Sequence, residues 1–269
     1  MKKKILIFGK NSFIGTNLYT FLKNKHIVKI KSFNLKLLKN LNKFDYIINC
    51  SINKNYVNDV YSINNDLDLK IVKNLNKNTN FIFFSSRKIY KPKANIYEDS
   101  KIRCSNNYEK NKYITEKKIL KIKGNKSIIL RISNIIGFKK YNPRKIHYTY
   151  LDYLISKVEK GELILNKNEF KDFLDINTFS KIINSIIKKR VFGTFNVSMG
   201  KKVYLKELNS WLLNSIKNKK KYKIIKLKNN EKNQSFYLNN SKLKKKIDIK
   251  INTIQLKKEC IKLSKKLFN

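Results

Sequence analysis

The sequence predicts an α/β fold in which a doubly wound parallel sheet is followed by a smaller C-terminal lobe. Three observations predict it. Short apolar runs alternate along the chain with stretches whose apolar residues recur at helical spacing. The first apolar run passes through a glycine-bearing turn directly into a helix pattern. The 269 residues suffice for two interlocked lobes, and two prolines and seven glycines leave no visible flexible linker between them.

Taken in order, Lys4 to Gly9 reads as a buried strand and Phe13 to Leu22 as its helix. Ile27 to Lys31 is a second strand, Tyr46 to Cys50 a third, Asn80 to Phe84 a fourth and Ser127 to Arg131 a fifth. Leu67, Leu69, Ile71, Val72 and Leu75 predict a helix before the fourth strand, and Tyr108 to Ile122 another after it. From Lys217 onward the apolar positions are too scattered to define elements, and no internal repeat is present. Residues 1–138 are assigned to the sheet domain, with 172–189 returning to it, and 139–269 mainly to the second lobe.

A formal charge of +44 suggests an anionic partner. Nucleic acid is not the expected one. Only Arg87, Arg103, Arg131, Arg144 and Arg190 among the 62 basic residues are arginine, the side chain suited to bidentate phosphate and base recognition. The lysines are spread over the whole chain, and the abundance of Lys, Asn and Ile is what A/T-rich codons produce. The same charge attracts an anionic substrate or cofactor. Cys50, Cys104 and Cys260 form neither a disulfide framework nor a metal-ligand pattern, which points to a reducing cytoplasm and no metal. The apolar run Ile5 to Phe8 is too short for a signal peptide, and nothing later reaches the length of a membrane span.

Gly9-Lys-Asn-Ser-Phe-Ile-Gly15 lies where backbone N–H groups and a helix dipole can meet a pyrophosphate. Ser12 occupies the place of a middle glycine, where its side chain would either crowd a phosphate or donate to it. The residues expected at the cofactor are Gly9, Ser12, Phe13, Ile14 and Gly15. At the end of the second strand, Lys29, Lys31 and Ser32 stand where an acid would bind the adenosine ribose of NAD, so the choice between NAD and NADP tilts towards NADP.

Tyr-x-x-x-Lys puts a phenol and an ammonium on one helical face. Here the spacing alone selects nothing: Tyr19, Tyr97, Tyr108, Tyr113, Tyr141, Tyr153 and Tyr222 all have lysine four residues later. Context selects Tyr108 with Lys112. Phe83-Phe-Ser-Ser-Arg-Lys-Ile-Tyr90 supplies Ser86 at the end of the fourth strand. Glu116 extends the helix pattern to Y-x-x-x-K-x-x-x-E, and Leu130-Arg-Ile-Ser-Asn-Ile-Ile-Gly137 follows with the pattern L-R-x-x-N-x-x-G. Lys171-Asp-Phe-Leu-Asp-Ile-Asn177 and Gly193-Thr-Phe-Asn-Val-Ser-Met-Gly200 come later in the expected order, and Asn64 falls where an asparagine opens the helix before the fourth strand.

This ordered set resembles the extended short-chain dehydrogenase/reductases, the Rossmann-fold family that includes NAD-dependent epimerases and dehydratases. The resemblance implies a nucleotide-sugar substrate, NAD or NADP as cofactor, and Ser86, Tyr108 and Lys112 as catalytic residues. Tyr108 would exchange a proton with the substrate oxygen. An isolated phenol titrates near ~10, so an adjacent ammonium is needed to favour its ionised form. The resemblance also gives Lys112 to the nicotinamide ribose, Ser86 and Asn134 to the substrate, and Lys171 to the substrate diphosphate. Asn134 and Lys171 read equally well as a turn residue and a solvated face.

The family's 4,6-dehydratases carry acids after the catalytic Ser or Thr, where this chain has Arg87 and Lys88, so dehydration is not expected. The epimerase-reductases that make GDP-fucose use a cysteine at the position of Lys88, together with a histidine near His147. Without that cysteine, His147 reads as a packing or substrate-contact residue, and His26 as structural. A reductase of 4-keto nucleotide sugars, similar to the dTDP-4-dehydrorhamnose reductases, is the expected activity, in the synthesis of surface-polysaccharide precursors. A C4 epimerase with retained NAD is the alternative, and a non-enzymatic dinucleotide sensor the third. A homodimer is the assembly left open.

Overall fold

A computed structural model describes residues 1–138, 149–165, 169–217, 221–226 and 234–268. Its first half runs β1 (Lys4–Phe8), α1 (Phe13–Leu22), β2 (Ile27–Lys31), β3 (Tyr46–Asn49), α2 (Lys54–Asn58), α3 (Leu67–Lys73), β4 (Asn80–Ser86), α4 (Asn107–Lys123) and β5 (Ile128–Ile132). The second half runs β6 (Asn134–Ile136), α5 (Tyr150–Glu159), β7 (Glu162–Leu165), β8 (Phe170–Lys171), β9 (Phe173–Asp175), α6 (Ile176–Lys189) and β10 (Gly193–Val197). It closes with β11 (Val203–Tyr204), α7 (Leu205–Leu212), β12 (Lys223–Lys226), α8 (Ser241–Lys244) and α9 (Thr253–Phe268).

Six strands form one parallel sheet in the order β10-β5-β4-β3-β1-β2. Its central strands are mainly apolar, because both faces are covered, with polar residues towards their ends. Ile5, Ile7, Ile48, Ile82 and Leu130 turn towards α1 and α6, where they join Leu18, Leu22, Ile183 and Ile187 in the main core. The alternate residues Leu6, Phe8, Ile47, Phe81, Phe83 and Ile129 pack beneath α3 and α4 on Ile71, Val72 and Ile119. The strands therefore alternate between two cores, and this is the doubly wound α/β fold that the alternating pattern predicts.

β10 completes the sheet from far down the chain, beyond segment 172–189, and β9 pairs with β6 outside the main sheet. Beside the main sheet lie α5 and α7 with, among the described residues, three small two-stranded sheets, and α9 packs on α7 and β9. Among the described residues no helix is long and apolar enough to cross a membrane.

Several boundaries differ from the sequence reading: β1 stops at Phe8, one residue before Gly9, and β5 is shifted by one residue to Ile128–Ile132. β3 stops at Asn49, and Cys50 follows it with its N–H donating to Phe8 O (2.8 Å). β4 runs on to Ser86, because the ladder with β5 continues to the Ser86–Ile132 pair. Asn64 does not open α3: it lies exposed in the preceding turn, while Asp66 caps the helix by accepting from Leu69 N (2.8 Å).

Candidate active site

The turn after β1 is tight. Gly9 has φ +114°, and a Cβ there would sit 2.8 Å from Ser12 Oγ and 3.0 Å from Cys50. A Cβ at Gly15 would fall 2.5 Å from Gly9 O and 2.6 Å from the same hydroxyl. Only glycine fits either place. Ser12 takes the middle position as the N-cap of α1, its Oγ accepting from Gly15 N at 2.9 Å. The hydroxyl is thus turned into the helix end, satisfying one of its unpaired N–H groups.

Ser86 ends β4 and its Oγ accepts from Lys88 N (3.2 Å), capping the short turn Arg87–Ile89. α4 carries Tyr108 in its first turn and Lys112 one turn later. Lys112 is buried: Nζ donates to Phe84 O (2.9 Å), lies 4.7 Å from the Phe83 ring centroid and pairs with Asp68 Oδ2 at 3.5 Å. Asn49 Nδ2 donates to the other Asp68 oxygen (2.8 Å). Burial pushes the Asp68 carboxyl up to about 6 even though Lys112 opposes the shift. Asp66 sits beside it, accepting from Tyr61 Oη and Thr115 Oγ1, and Tyr56 Oη meets the same threonine at 2.7 Å. The sequence reading missed Asp68 and Asn49. The available signal was scarcity: two acids one residue apart, among only 18 in a chain with 62 cations.

Glu116 and Arg131, two separate motif residues in the sequence, are one ion pair. Arg131 Nη2 lies 2.7 Å from Glu116 Oε2, with Nε at 3.1 and 3.3 Å from the two carboxylate oxygens. Arg131 Nη1 donates to Tyr90 Oη (2.5 Å) and Glu98 O (2.7 Å). Burial alone would lower the guanidinium's pKa, but the bonds and charge of Glu116 outweigh it and raise it. The pair ties α4 to β5, and so holds Tyr108 and Lys112 against the sheet.

In the segment Lys171 to Asp175 the central residue is Asp172 rather than Lys171. Asp172 is fully buried and accepts from Met199 N, Gly200 N, Leu238 N and Ser133 Oγ. Burial pushes its carboxyl up to about 6 against those bonds. Lys171 pairs with Glu169 (2.8 Å). Asn134 Nδ2 donates to Asp172 O (3.1 Å). His26 is structural: Nδ1 accepts from Lys3 N and Nε2 bonds Asn184, joining β2's entry to α6. His147 lies outside the described residues.

A cavity of about 590 Å³ runs along the ends of the strands. It joins Gly9, Ser12, Phe13 and Ile14 to Ser86, Tyr108, Lys112 and Asn134; Gly15 lies behind the turn, and Lys171 does not reach the cavity. Lys10, Arg87, Lys88 and Lys112 line it, and among the described residues no carboxylate does. Ser32 and Phe33 close the end beyond β2. Tyr113, the nearest decoy, packs elsewhere, against the cluster of Ile89, Tyr90 and Phe236. A second hollow, between Ile216, Lys217, Tyr222 and Phe268, gathers none of the predicted residues.

A cavity at the carboxyl ends of a parallel sheet, opening on a glycine turn, is a dinucleotide-binding arrangement. A profile described as the NAD dependent epimerase/dehydratase family matches residues 5–198. The chain belongs to this family. Membership makes it an NAD-dependent enzyme of the epimerase/dehydratase kind, in keeping with the extended short-chain dehydrogenase pattern. No curated protein matches the chain. Solved structures of similar fold include the UDP-N-acetylglucosamine 4-epimerase of Methanobrevibacter ruminantium in complex with UDP-N-acetylmuramic acid. It is 18% identical, with 98% of each chain covered and a TM-score of 0.75. RMD from Pseudomonas aeruginosa, complexed with NADPH, is 15% identical over 99% of each chain (TM-score 0.75). The dTDP-glucose 4,6-dehydratase of Bacillus anthracis, in complex with NAD, is 17% identical over 98% of this family member and 97% of its own chain (TM-score 0.73). At such identities the likeness is one of fold.

Proposed function

We propose that the chain is a cytoplasmic NADPH-dependent reductase of a 4-keto nucleotide sugar, serving surface-polysaccharide precursor synthesis. The observation that carries this reading is the cavity joining the Gly9 to Ile14 turn with Ser86, Tyr108 and Lys112, lined among the described residues by cations and by no acid. Both ligands in such a reaction are anionic.

The turn fits a dinucleotide. Gly9 and Gly15 allow the close backbone approach, Ser12, Phe13 and Ile14 bring the first N–H groups of α1 to the phosphates, and Lys112 holds the nicotinamide ribose. Among the described residues lining the cavity no acid accompanies Ser32 to favour the unphosphorylated adenosine ribose, which supports NADP over NAD. The bound nicotinamide supplies the hydride. Ser86 holds the substrate carbonyl by a hydrogen bond, and Tyr108 delivers the proton to its oxygen. Lys112, anchored by Phe84 O and Asp68, keeps its ammonium beneath that end of α4. Asn134 contacts the sugar.

The test is turnover of NADPH with 4-keto nucleotide sugars, one equivalent consumed per product. Tyr108→Phe should lower turnover by about 10²–10⁴-fold while cofactor affinity stays within about twofold. Full activity in Tyr108→Phe, with loss in Tyr113→Phe, would sink the assignment. A C4 epimerase would use the same three side chains. Its mark would be NAD retained through purification, with sugar interconversion and no net NADPH consumption.

A further inference from the structure

The cavity's cations are not equally provided for. Lys112 has Asp68, and Lys10 and Lys88 are exposed. Arg87 is partly buried, and its Nε is shut off from solvent with no hydrogen-bond partner among the described residues. Its guanidinium is laid over the Phe236 ring, 3.8 Å from the centroid. Burial pulls its pKa down to about 10, although Glu109, Tyr108 and Asp172 pull the other way. Neither carboxylate is available to it. Glu109 accepts from Ser105 N (2.6 Å) and Asn106 Nδ2 (2.8 Å), and the Asp172 oxygens are taken by three backbone N–H groups and Ser133.

A guanidinium desolvated in this way is costly until an anion completes it, and its flat fork of donors matches two coplanar oxygens. We propose that Arg87, held flat by Phe236 beside Ser86, receives a carboxylate borne by the sugar itself, so that the substrate is an acidic nucleotide sugar. This rests on the reading of the cavity as a nucleotide-sugar site. Arg87 directly follows Ser86, which holds the reacting oxygen, and lines the same cavity as Tyr108. An anion within its reach therefore belongs to the reacting ring, whereas the dinucleotide phosphates belong at the Gly9 turn.

The experiment measures binding to the full chain saturated with NADPH, by calorimetry. UDP-, dTDP- and GDP-glucose are compared first, and the tightest is matched with its glucuronate counterpart and with the bare nucleoside diphosphate. The glucuronate should bind at least about tenfold more tightly than the glucose compound, and Arg87→Gln should bring that ratio to within about twofold. Arg87→Lys, which keeps the charge without the fork, should restore only part of it, and it also serves if the glutamine variant does not fold. Equal affinity of the two sugars in the native protein overturns the proposal. Equal weakening of all three ligands by Arg87→Gln also overturns it, since Arg87 would then serve the diphosphate. If no nucleotide sugar binds at all, the reading of the cavity itself is overturned.

Discussion

Arg131 lies near the end of β5 and Arg87 just beyond the neighbouring β4, yet their surroundings treat the same side chain in opposite ways. All three nitrogens of Arg131 are engaged by Glu116, Tyr90 and Glu98. Arg87 has one aromatic face and a buried Nε with no acceptor among the described residues. A cation that serves packing is given its acceptors by the fold. One that the fold leaves incomplete at the wall of a cavity is available to a ligand.

The largest expected effect breaks the complete side of this comparison. Glu116→Ala leaves Arg131 buried without its counter-ion and should destabilise the protein by about 3–5 kcal/mol, read from urea unfolding. A loss under about 1 kcal/mol would mean that the two arginines do not differ as described. Tyr90→Phe removes the acceptor of one Arg131 N–H and the donor to Asn196 Oδ1, with an expected cost of about 1.5–3 kcal/mol.

The comparison extends to the buried acids through pH. Asp68 and Asp172 are both pushed up to about 6, above the value of an unfolded aspartate. Their folded forms take up protons that the unfolded chain has released. The stability this contributes is complete below about pH 4 and is lost as pH rises through about 6. Asp68→Asn cannot titrate and should flatten that decline by an amount on the order of 1 kcal/mol, seen in urea midpoints from pH 4 to 7. An unchanged slope would show that Asp68 does not titrate as a buried group. Smallest of all, Arg87→Gln should change stability by less than about 1 kcal/mol, because relief of desolvation offsets the lost stacking. A large loss would show Arg87 to be a second Arg131.

Much of this was legible in the sequence, for identifiable reasons. β1 to β5, α1, α3 and α4 could be read because strands covered on both faces are mainly apolar, the edge strand β2 alternates apolar with Lys29 and Lys31, and the helices between them keep a 3.6-residue period. Ser12, Ser86, Tyr108 and Lys112 could be picked out by order along the chain, and the cavity brings them together. β10 was recognised only as a motif, since a five-residue edge strand gives little periodicity. Lys171 drew attention in place of Asp172 because charge is visible in a sequence while burial is not. Arg87 was read only for the acid it replaces, since a missing counter-ion can be seen only when its neighbours are in place.

The strand order has one more consequence, which concerns synthesis. β5 lies between β4 and β10, so it lacks one of its two partners until Val197 has been made. α6, which covers α1, is likewise late. During translation β5, a buried strand built for two neighbours, is therefore an exposed edge until nearly three quarters of the chain has emerged, and slow synthesis over that interval would favour aggregation of the nascent protein.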